Sequence, residues 1–436
     1  MKKLLTIIAV LLFTATINAQ TNPPTESVLD RFLRYAKIDT QSKEDQDKVP
    51  STEKQLVLAK LLAKELQELG AENVRVSEFG IVYGMIPGNL PDNAKAPVIG
   101  LMAHMDTSPE VSGENVNPVI HKNYQGGDIT LPKDPTQVIT VAKSPDLKNL
   151  IGDDIITADG TTLLGSDDKA GCAEIMTMID ILKRNPQLKH GAISIAFTPD
   201  EEVGGGIDKF DVAGFGAKFA YTVDGEELGE ISTETWSART ATVRFQGKNT
   251  HPGTAKGIMV NSAYAAADFM TRFPPDMLPE TTEGRVGFVH PYTGTLDAEE
   301  SSIKILLRDF ELSGLNAKEA MIKEMARSVG LKFPKVKVTV EIKENYKNMK
   351  EVLKNYPQLT DYAMEAARRA GLTPHIKAIR GGTDGANLTF RGLPTPNLFT
   401  GGHNFHGKLE FNSRRGLEKT TETLVNLVQL FAEKGM

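Results

Sequence analysis

The sequence predicts an α/β protein whose mostly parallel β-sheet is interrupted by a smaller, ferredoxin-like domain. Helical patterns alternate with apolar strands over residues 25–230, which is typical of a sheet with helices on both faces. From residue 232 to 342 the order is strand, helix, two strands, helix and strand, and α/β character returns from residue 356 onwards. The chain has 436 residues, of which 40% are hydrophobic, and this is ample for a sizeable core.

The predicted domain boundaries follow from these changes of pattern. The larger domain occupies residues 20–231 and 344–436, and the inserted domain occupies residues 232–343. Residues 107–160 are rich in Pro, Gly, Asn and Asp and predict a long irregular segment of the larger domain. Irregular segments of this length in compact proteins are usually functional or disordered.

Local patterns predict the elements of the larger domain. Residues 51–69 carry leucines at helical spacing after a Ser-x-Glu start, and Gly70 ends that helix. Short apolar runs predict strands, and they read GIVYGMI, PVIGLMAH, AISIAF and KFAYTVD.

The inserted domain follows a different pattern. RTATVRFQG alternates polar and apolar residues, as a half-buried strand does, and residues 259–272 then predict a helix. The strand candidates RVGFVHP and SSIKILLRDF come next, followed by a helix over residues 316–328 and the strand KVKVTVEI. This βαββαβ order is typical of a ferredoxin-like unit with one solvated sheet face.

Charge and cysteine content narrow the choice of function. The net charge is -6 and the lysines and arginines are scattered, which gives no sign of a nucleic-acid partner. Cys172 is the only cysteine, so no intrachain disulfide can form. Because it lies among apolar residues at helical spacing, we interpret it as a buried structural thiol rather than a nucleophile.

The first 19 residues predict a secretory signal peptide. MKKLLTIIAVLLFTATINAQ has two lysines, an apolar run over residues 4–13 and the small residue Ala19 before the expected cleavage point. The apolar run is too short to cross a bilayer comfortably. We expect a periplasmic or secreted mature protein without stable membrane association, and retention of the segment as a membrane anchor is the alternative.

Acidic residues and histidines follow the predicted strands where each strand ends. In an open α/β sheet, ligands bind at the carboxyl ends of the strands, so these side chains should gather at one edge. The motifs are LMAHMD with His104 and Asp106, LLGSDDKAG with Asp167 and Asp168, FTPDEE with Glu201 and Glu202, AYTVDGEE with Asp224, and GGHNFHGKLE with His403, His406 and Glu410.

Taken singly, each of these residues has a simpler explanation. A lone Asp at a strand end is more often a turn former or helix cap, and a lone His is more often structural. Several carboxylates in one site, however, would repel one another and raise one another's pKa unless a cation neutralised them. Imidazole and carboxylate ligands without thiolates suit Zn, Mn or Co, and so many acids favour a pair of metal ions.

The motifs also resemble those of a known family. HMD, LLGSDDKAG, PDEEVGGG, VDG and FHGKLE, in this order around an inserted βαββαβ domain, resemble the peptidase T family of tripeptide aminopeptidases. These are co-catalytic zinc exopeptidases related to bacterial carboxypeptidase G and succinyl-diaminopimelate desuccinylase. The resemblance covers essentially the whole mature chain and implies a zinc-exopeptidase-type catalytic domain with an inserted lid domain.

The resemblance implies a role for each residue of the site. It implies two Zn²⁺ ions, with Co²⁺ or Mn²⁺ as substitutes. The implied metal ligands are His104 and Asp224 at one ion, Glu202 and His406 at the other, and Asp167 between them. Asp106 would orient the His104 ring. Glu201 would act as general base and then acid while a hydroxide held by both zinc ions attacks the peptide carbonyl.

Substrate-binding residues are predicted less directly. The lid residue His251, in GKNTHPGTAKG, is expected to polarise the scissile carbonyl, or alternatively to pack as a turn residue within the lid. Arg308 and Arg380 are candidates for gripping a substrate carboxylate, since Arg suits bidentate carboxylate recognition. His403 is expected to line the pocket, and Asp384 to support either the site or only its own loop.

The sequence therefore predicts a zinc aminopeptidase acting on short peptides, by resemblance tripeptides. One alternative is a related amidohydrolase, such as a carboxypeptidase or an N-acyl-amino-acid deacylase. A second alternative is an inactive relative that binds peptides or metal. A homodimer through the lid domain and a monomer both stay open, as does the side-chain preference.

Overall fold

A computed structural model describes residues 21–91 and 96–435 of the chain. The predicted leader, residues 1–19, lies outside the described residues. Within the described ranges, no helix combines the length and the apolar character needed to cross a membrane.

The chain alternates helices and strands through most of its length. The helices are α1 (Val28–Ala36), α2 (Gln55–Leu69), α3 (Ser166–Arg184), α4 (Val212–Phe215), α5 (Ser262–Met270), α6 (Leu312–Lys332), α7 (Lys350–Leu353), α8 (Pro357–Arg369), α9 (Asp384–Phe390) and α10 (Arg414–Lys434). The strands are β1 (Glu72–Val76), β2 (Val82–Ile86), β3 (Ile99–His104), β4 (Val119–His121), β5 (Ile129–Thr130), β6 (Val138–Ile139), β7 (Ile155–Thr157), β8 (Ile193–Thr198), β9 (Phe219–Gly225), β10 (Glu230–Ser232), β11 (Ser237–Gln246), β12 (Phe288–Thr295), β13 (Glu300–Asp309), β14 (Lys337–Tyr346), β15 (His375–Ile376), β16 (Asn397–Phe399) and β17 (Phe411–Ser413).

The main sheet confirms the predicted fold class. Its order is β1-β2-β8-β3-β9-β16-β10-β15. The central strands β8, β3, β9 and β16 run parallel, whereas β1 and β2 form an antiparallel edge. The mixed edge arises because β1 and β2 are joined by a short turn, and short connections pair strands antiparallel.

Helices cover both faces of this sheet. Successive residues of β3 show why: Leu101 belongs to the core under α1, α2, α3 and α10, whereas Met102 belongs to the core on the opposite face. Side chains alternate across a strand, so a sheet buried on both faces needs continuous apolar strands. Every residue of β3 and of β8 is buried accordingly.

A second sheet confirms the predicted ferredoxin-like order. The four antiparallel strands lie in the order β12-β13-β11-β14, and α5 and α6 pack on one face. The core between them contains Val243, Phe245, Phe269, Ile305 and Ile322. Alternate residues of β14 are exposed, as expected for a sheet with one solvated face.

Two elements differ from the sequence prediction near residues 51 and 107. The helix predicted from residue 51 begins at Gln55, because the Ser51 hydroxyl donates to Asp200 at 2.5 Å instead of capping a helix. The segment predicted to be irregular over residues 107–160 contains the short strands β4 to β7 and a small apolar core. Strands of two or three residues are too short to produce a visible alternation.

The strand predicted at RVGFVHP begins later, at Phe288. The preceding residues are held differently, because Arg285 forms a paired contact with Glu234 at 2.7 and 2.8 Å. The guanidinium of Arg380 also donates a hydrogen bond to the Gly284 carbonyl at 2.6 Å. Both contacts bind this segment to neighbouring loops rather than to the sheet.

Candidate metal centre

The carboxyl ends of the central strands bring the predicted ligands together. β3 ends at His104, Glu201 and Glu202 follow β8, and Asp224 lies near the end of β9. The three strands are adjacent and parallel, so these residues share one edge of the sheet. This edge opens into a cavity of about 430 Å³.

Two histidines converge on one carboxylate at the base of this cavity. The Nε2 atom of His104 lies 2.8 Å from Asp167 Oδ1 and 3.4 Å from Asp224 Oδ1. The Nε2 atom of His406 lies 3.2 Å from Asp167 Oδ2 and 2.8 Å from Glu202 Oε2. The structure thus brings all five predicted metal ligands into contact, with one oxygen of Asp167 facing each imidazole.

This cluster fits a bound cation. Ligand atoms of His104, Asp167 and Glu202 all lie within 4.8 Å of one another, and the same holds for His104, Asp168 and Asp224. Within the part of the chain that the structure describes, Glu202 Oε1 is buried without a hydrogen-bond partner. A buried carboxylate oxygen without a partner, on a side chain whose other oxygen contacts His406, suits a metal ion that accepts nitrogen and oxygen ligands.

Asp168 was not predicted as a ligand, and its contacts explain a different role. Its Oδ2 accepts a hydrogen bond from the backbone N–H of His104 at 3.1 Å, and its Oδ1 accepts one from Gly171 N–H at 3.1 Å. Both carboxylate oxygens of Asp168 therefore already accept hydrogen bonds from backbone N–H groups. The dihedral angles of Asp167 and Asp168 are not helical although both fall within α3, and the adjacent carboxylates make different contacts.

Asp106 connects His104 with both glutamates. The His104 Nδ1 atom lies 3.2 Å from the Asp106 carbonyl oxygen and 3.4 Å from its Oδ1. The carboxylate also accepts hydrogen bonds from Glu201 N–H at 3.0 Å and from Glu202 N–H at 3.3 Å. Asp106 therefore fixes the imidazole and the Glu201–Glu202 turn together, as expected of a residue that orients a metal ligand.

The titration behaviour reflects crowded acids in a buried site. Burial raises the pKa of Glu201 well above its usual value, and the charge of Asp224 adds to this. Burial raises the pKa of Glu202 to about 8, with the charge of Asp167 as a further cause. Burial would lower the pKa of His406, but hydrogen bonds to Asp167 and Glu202 raise it to about 11.

Glu201 and Glu202 have different surroundings although they are neighbours. The Glu202 carboxylate contacts His406, whereas no hydrogen bond or ion pair to the Glu201 carboxylate is found among the described residues. Both line the cavity. Glu201 is therefore the carboxylate that is free to exchange a proton with a bound molecule.

Of the two arginines predicted to bind a substrate carboxylate, only Arg380 lines the cavity. Arg380 lines the cavity, but its guanidinium donates to the carbonyls of Thr282, Gly284 and Val286 and stacks 4.7 Å from the Trp236 ring. Arg308 stacks 5.3 Å from the Tyr346 ring and is not among the residues that line this cavity.

The two other histidines predicted for the site, His251 and His403, have no ion pair with the clustered ligands among the described residues. His251 is exposed in the inserted domain, and its Nδ1 accepts a hydrogen bond from Gly253 N–H at 3.1 Å. His403 stacks on Phe411 with ring centres 4.7 Å apart and borders a separate cleft of about 300 Å³. In this structure His403 borders that cleft rather than the cavity at the cluster, and its expected role in the substrate pocket stays a prediction. The role of His251 stays a prediction.

Other residues were missed by sequence reasoning. Lys377 and Glu230 line the cavity and pair at 2.8 Å, and Lys377 also pairs with Glu226 at 2.8 Å. Glu227, Glu230 and His375 have metal-ligand spacing, but the Lys377 ammonium already lies among these acids. Charged residues on or beside short strands resemble ordinary surface residues in a sequence, so no signal in the sequence identified them.

Two buried groups complete the surroundings of the site. Asp384 accepts a hydrogen bond from the Thr198 hydroxyl at 2.7 Å, and burial raises its pKa to about 7. Cys172 is buried, as predicted, and its thiol donates to the His104 carbonyl at 3.3 Å. Asp384 is therefore hydrogen-bonded to the end of β8, and Cys172 is hydrogen-bonded to the end of β3.

Comparisons with known proteins give a consistent result. The model of peptidase family M20/M25/M40 matches residues 158–430. A peptidase T from Caldanaerobacter subterraneus is 48% identical over 94% of this chain and 99% of its own length. A peptidase T from Desulfitobacterium hafniense is 49% identical with the same coverage of both chains.

Solved structures share the fold. An aminopeptidase PepT from Bacillus cereus has a TM-score of 0.69 at 24% identity, covering 93% of this chain and 98% of its own. A tripeptidase from Staphylococcus aureus has a TM-score of 0.72 at 20% identity with the same coverage. At these identities the likeness concerns the fold, and the sequence relatives carry the assignment to a family.

Proposed function

The chain belongs to the peptidase T group of peptidase family M20/M25/M40, and from this we propose that it is a metal-dependent aminopeptidase that releases the N-terminal residue of tripeptides. The similarity to the relatives named peptidase T extends over 94% of this chain and 99% of each relative. The observation that carries the proposal is Asp167, whose two oxygens each face a histidine at the cavity that also contains the unpaired Glu201.

The proposed cofactor is a pair of Zn²⁺ ions, with Co²⁺ or Mn²⁺ as substitutes. His104 and Asp224 would hold one ion, Glu202 and His406 the other, and Asp167 both. When bound, zinc supplies Lewis acidity, which lowers the pKa of a coordinated water and polarises the peptide carbonyl. The donor set of imidazoles and carboxylates supports this choice.

The chain's own residues would handle the proton. The Glu201 carboxylate would take a proton from the attacking water, since it lines the cavity and has no hydrogen bond or ion pair to another side chain among the described residues. The same oxygen then gives the proton to the amine nitrogen of the departing dipeptide. Asp106 keeps His104 and the backbone of Glu201 in place throughout this exchange.

Substrate recognition would use the remaining cavity wall. The cavity of about 430 Å³ lies within the range of small-ligand sites. Arg380 is the candidate for the substrate carboxylate, provided that it leaves the lid carbonyls that it now contacts. Arg308 and His251 lie outside the cavity in this structure, so their proposed roles depend on a movement of the inserted domain.

A substrate panel tests the proposal. Purified protein loaded with zinc should release alanine and Ala-Ala from Ala-Ala-Ala and leave N-acetyl-Ala-Ala-Ala uncleaved. Cleavage of only the acetylated peptide or of acyl-amino acids would instead indicate a carboxypeptidase or deacylase. Binding of two ions and of tripeptide without any product would indicate an inactive binding protein.

Metal affinity should rise with pH. Metal binding requires the unprotonated forms of the ligands, and the pKa of Glu202 is raised to about 8 and that of His406 to about 11. For each ligand that must lose a proton, the metal-binding constant therefore falls about tenfold for every pH unit below the pKa of that ligand. Calorimetric titration in two buffers of different ionisation enthalpy should detect proton release between pH 6 and pH 8, and an affinity independent of pH would contradict this assignment.

Localisation and assembly are separate proposals. The composition of residues 1–20 supports export to the periplasm or the medium with cleavage after Ala19. Sequencing the amino terminus of protein produced with its full leader would show whether cleavage occurs there. Sedimentation of the purified protein would distinguish a monomer from a dimer formed through the inserted domain.

A further inference from the structure

Glu410 has an unusual set of contacts for a buried carboxylate. Its side chain is 1% exposed. Its Oε2 accepts hydrogen bonds from the backbone N–H groups of Leu164 and Gly165, both at 2.8 Å, and its Oε1 accepts one from Asp167 N–H at 3.0 Å. Three backbone N–H groups at the start of α3 and just before it therefore donate to one side chain that is 243–246 residues away in sequence.

The segment over residues 164–167 has few other means of keeping its shape. Gly165 adopts a φ of 79°, and the N-terminus of α3 has no side-chain cap of its own. Leu164 and Gly165 precede α3, and the dihedral angles of Asp167 are not helical, so the N–H groups of these residues need acceptors from elsewhere in the chain. Glu410 supplies these acceptors from a distant loop.

The loop that carries Glu410 also carries His406. His403 and Phe411 exchange backbone hydrogen bonds at 2.9 and 3.1 Å, which closes the loop at its base. The Asn404 side chain donates to the Leu409 carbonyl at 3.1 Å and fixes the loop internally. His406 therefore lies near the tip of a closed loop, and Glu410 lies at its base.

We propose that Glu410 is a positioning residue of the metal centre. It joins the loop of His406 to the segment of Asp167 and so fixes the 3.2 Å separation of His406 Nε2 and Asp167 Oδ2. It is not among the residues that line the cavity, so it acts through these two ligands rather than on substrate. The inference rests on the proposed metal centre.

Glu410→Gln is the variant that tests this role. The amide retains one acceptor oxygen but turns its NH₂ group towards at least one backbone donor, so the segment of Asp167 is displaced. We expect zinc affinity, measured by competition with a chromophoric chelator, to fall by about 10–100-fold, as for outer partners of other metal ligands. Turnover of Ala-Ala-Ala should return as the zinc concentration is raised.

Glu174→Gln is the matched control. Glu174 is a fully buried glutamate of α3 that forms no hydrogen bond or ion pair with His406 or with the segment of Asp167 among the described residues. The control should bind zinc as the wild type does. The thermal midpoint of each metal-free protein is measured in parallel, because a purely structural role would lower this midpoint and leave zinc affinity unchanged.

The outcomes separate the inference from the proposed function. Unchanged zinc affinity in Glu410→Gln overturns the inference, whatever happens to the thermal midpoint. Absence of zinc binding by the wild type overturns the proposed metal centre itself. If Glu410→Gln does not fold, Glu410→Asp is the second test. This variant keeps the charge and both acceptor oxygens but shortens the side chain by one methylene group. Weaker zinc binding by Glu410→Asp supports the inference, and wild-type zinc affinity overturns it.

Discussion

Glu201→Gln is expected to lower kcat for Ala-Ala-Ala by about 10²–10⁴-fold, the usual contribution of a general acid–base residue. The amide has the shape of the carboxylate but takes up no proton at neutral pH. Because the Glu201 carboxylate forms no hydrogen bond or ion pair with any proposed ligand within the described ranges, the variant should keep the wild-type metal content. Single-turnover kinetics and metal analysis by mass spectrometry on the same sample measure both effects.

Glu202→Gln is the matched comparison because it makes the same exchange one residue further on. Its carboxylate lies 2.8 Å from His406 Nε2, so the neutral amide should lower metal occupancy as well as turnover. Equal metal loss in the two variants would mean that the roles of Glu201 and Glu202 have been divided wrongly. Full activity in Glu201→Gln would remove the proposed base.

Asp167→Asn is expected to produce the largest loss of bound metal. The two oxygens of Asp167 face different histidines, at 2.8 and 3.2 Å, and the amide leaves one oxygen and no charge. Metal affinity should fall by more than the roughly 10–100-fold typical of outer partners, and turnover should fall with it. Metal analysis after dialysis and a zinc-dependent activity titration measure the two losses.

The control for this variant lies on the same helix. Asp180 of α3 binds Thr25 at 2.6 Å and lies away from the cluster, so Asp180→Asn should retain wild-type zinc content even if its stability falls. An Asp167→Asn protein that binds two ions as tightly as the wild type would show that the ion pair does not share this carboxylate. The metal centre would then need a different set of ligands.

The strands and the convergence of the proposed metal ligands were largely predictable, and the reason is geometric. His104, Glu202 and Asp224 follow apolar runs that could only be central strands, and parallel strands end at the same edge. The approach of these side chains is therefore fixed by the fold. His406 lies in a loop, and only the resemblance of its motif separated it from His403.

Residues whose contacts depend on pairing between distant segments escaped prediction. In the sequence Glu410 is only one residue of the GGHNFHGKLE motif, and its hydrogen bonds to Leu164 and Gly165 follow from tertiary packing alone. Asp168 looked equivalent to Asp167 until the backbone showed that its oxygens are used by His104 and Gly171. Ser51 has the sequence context of a helix cap, yet its hydroxyl is committed to Asp200.

The contacts of Asp106 have a consequence for how such a site can change during evolution. A single carboxylate faces the imidazole of His104 and holds the backbone of both Glu201 and Glu202. Substitutions of Asp106 are therefore expected to displace the imidazole and the backbone of both glutamates together. Their effects should be strongly non-additive with substitutions at Glu201. Under the proposed roles of these residues, a change of Asp106 that alters metal binding would also alter proton transfer, so the two properties are expected to change together.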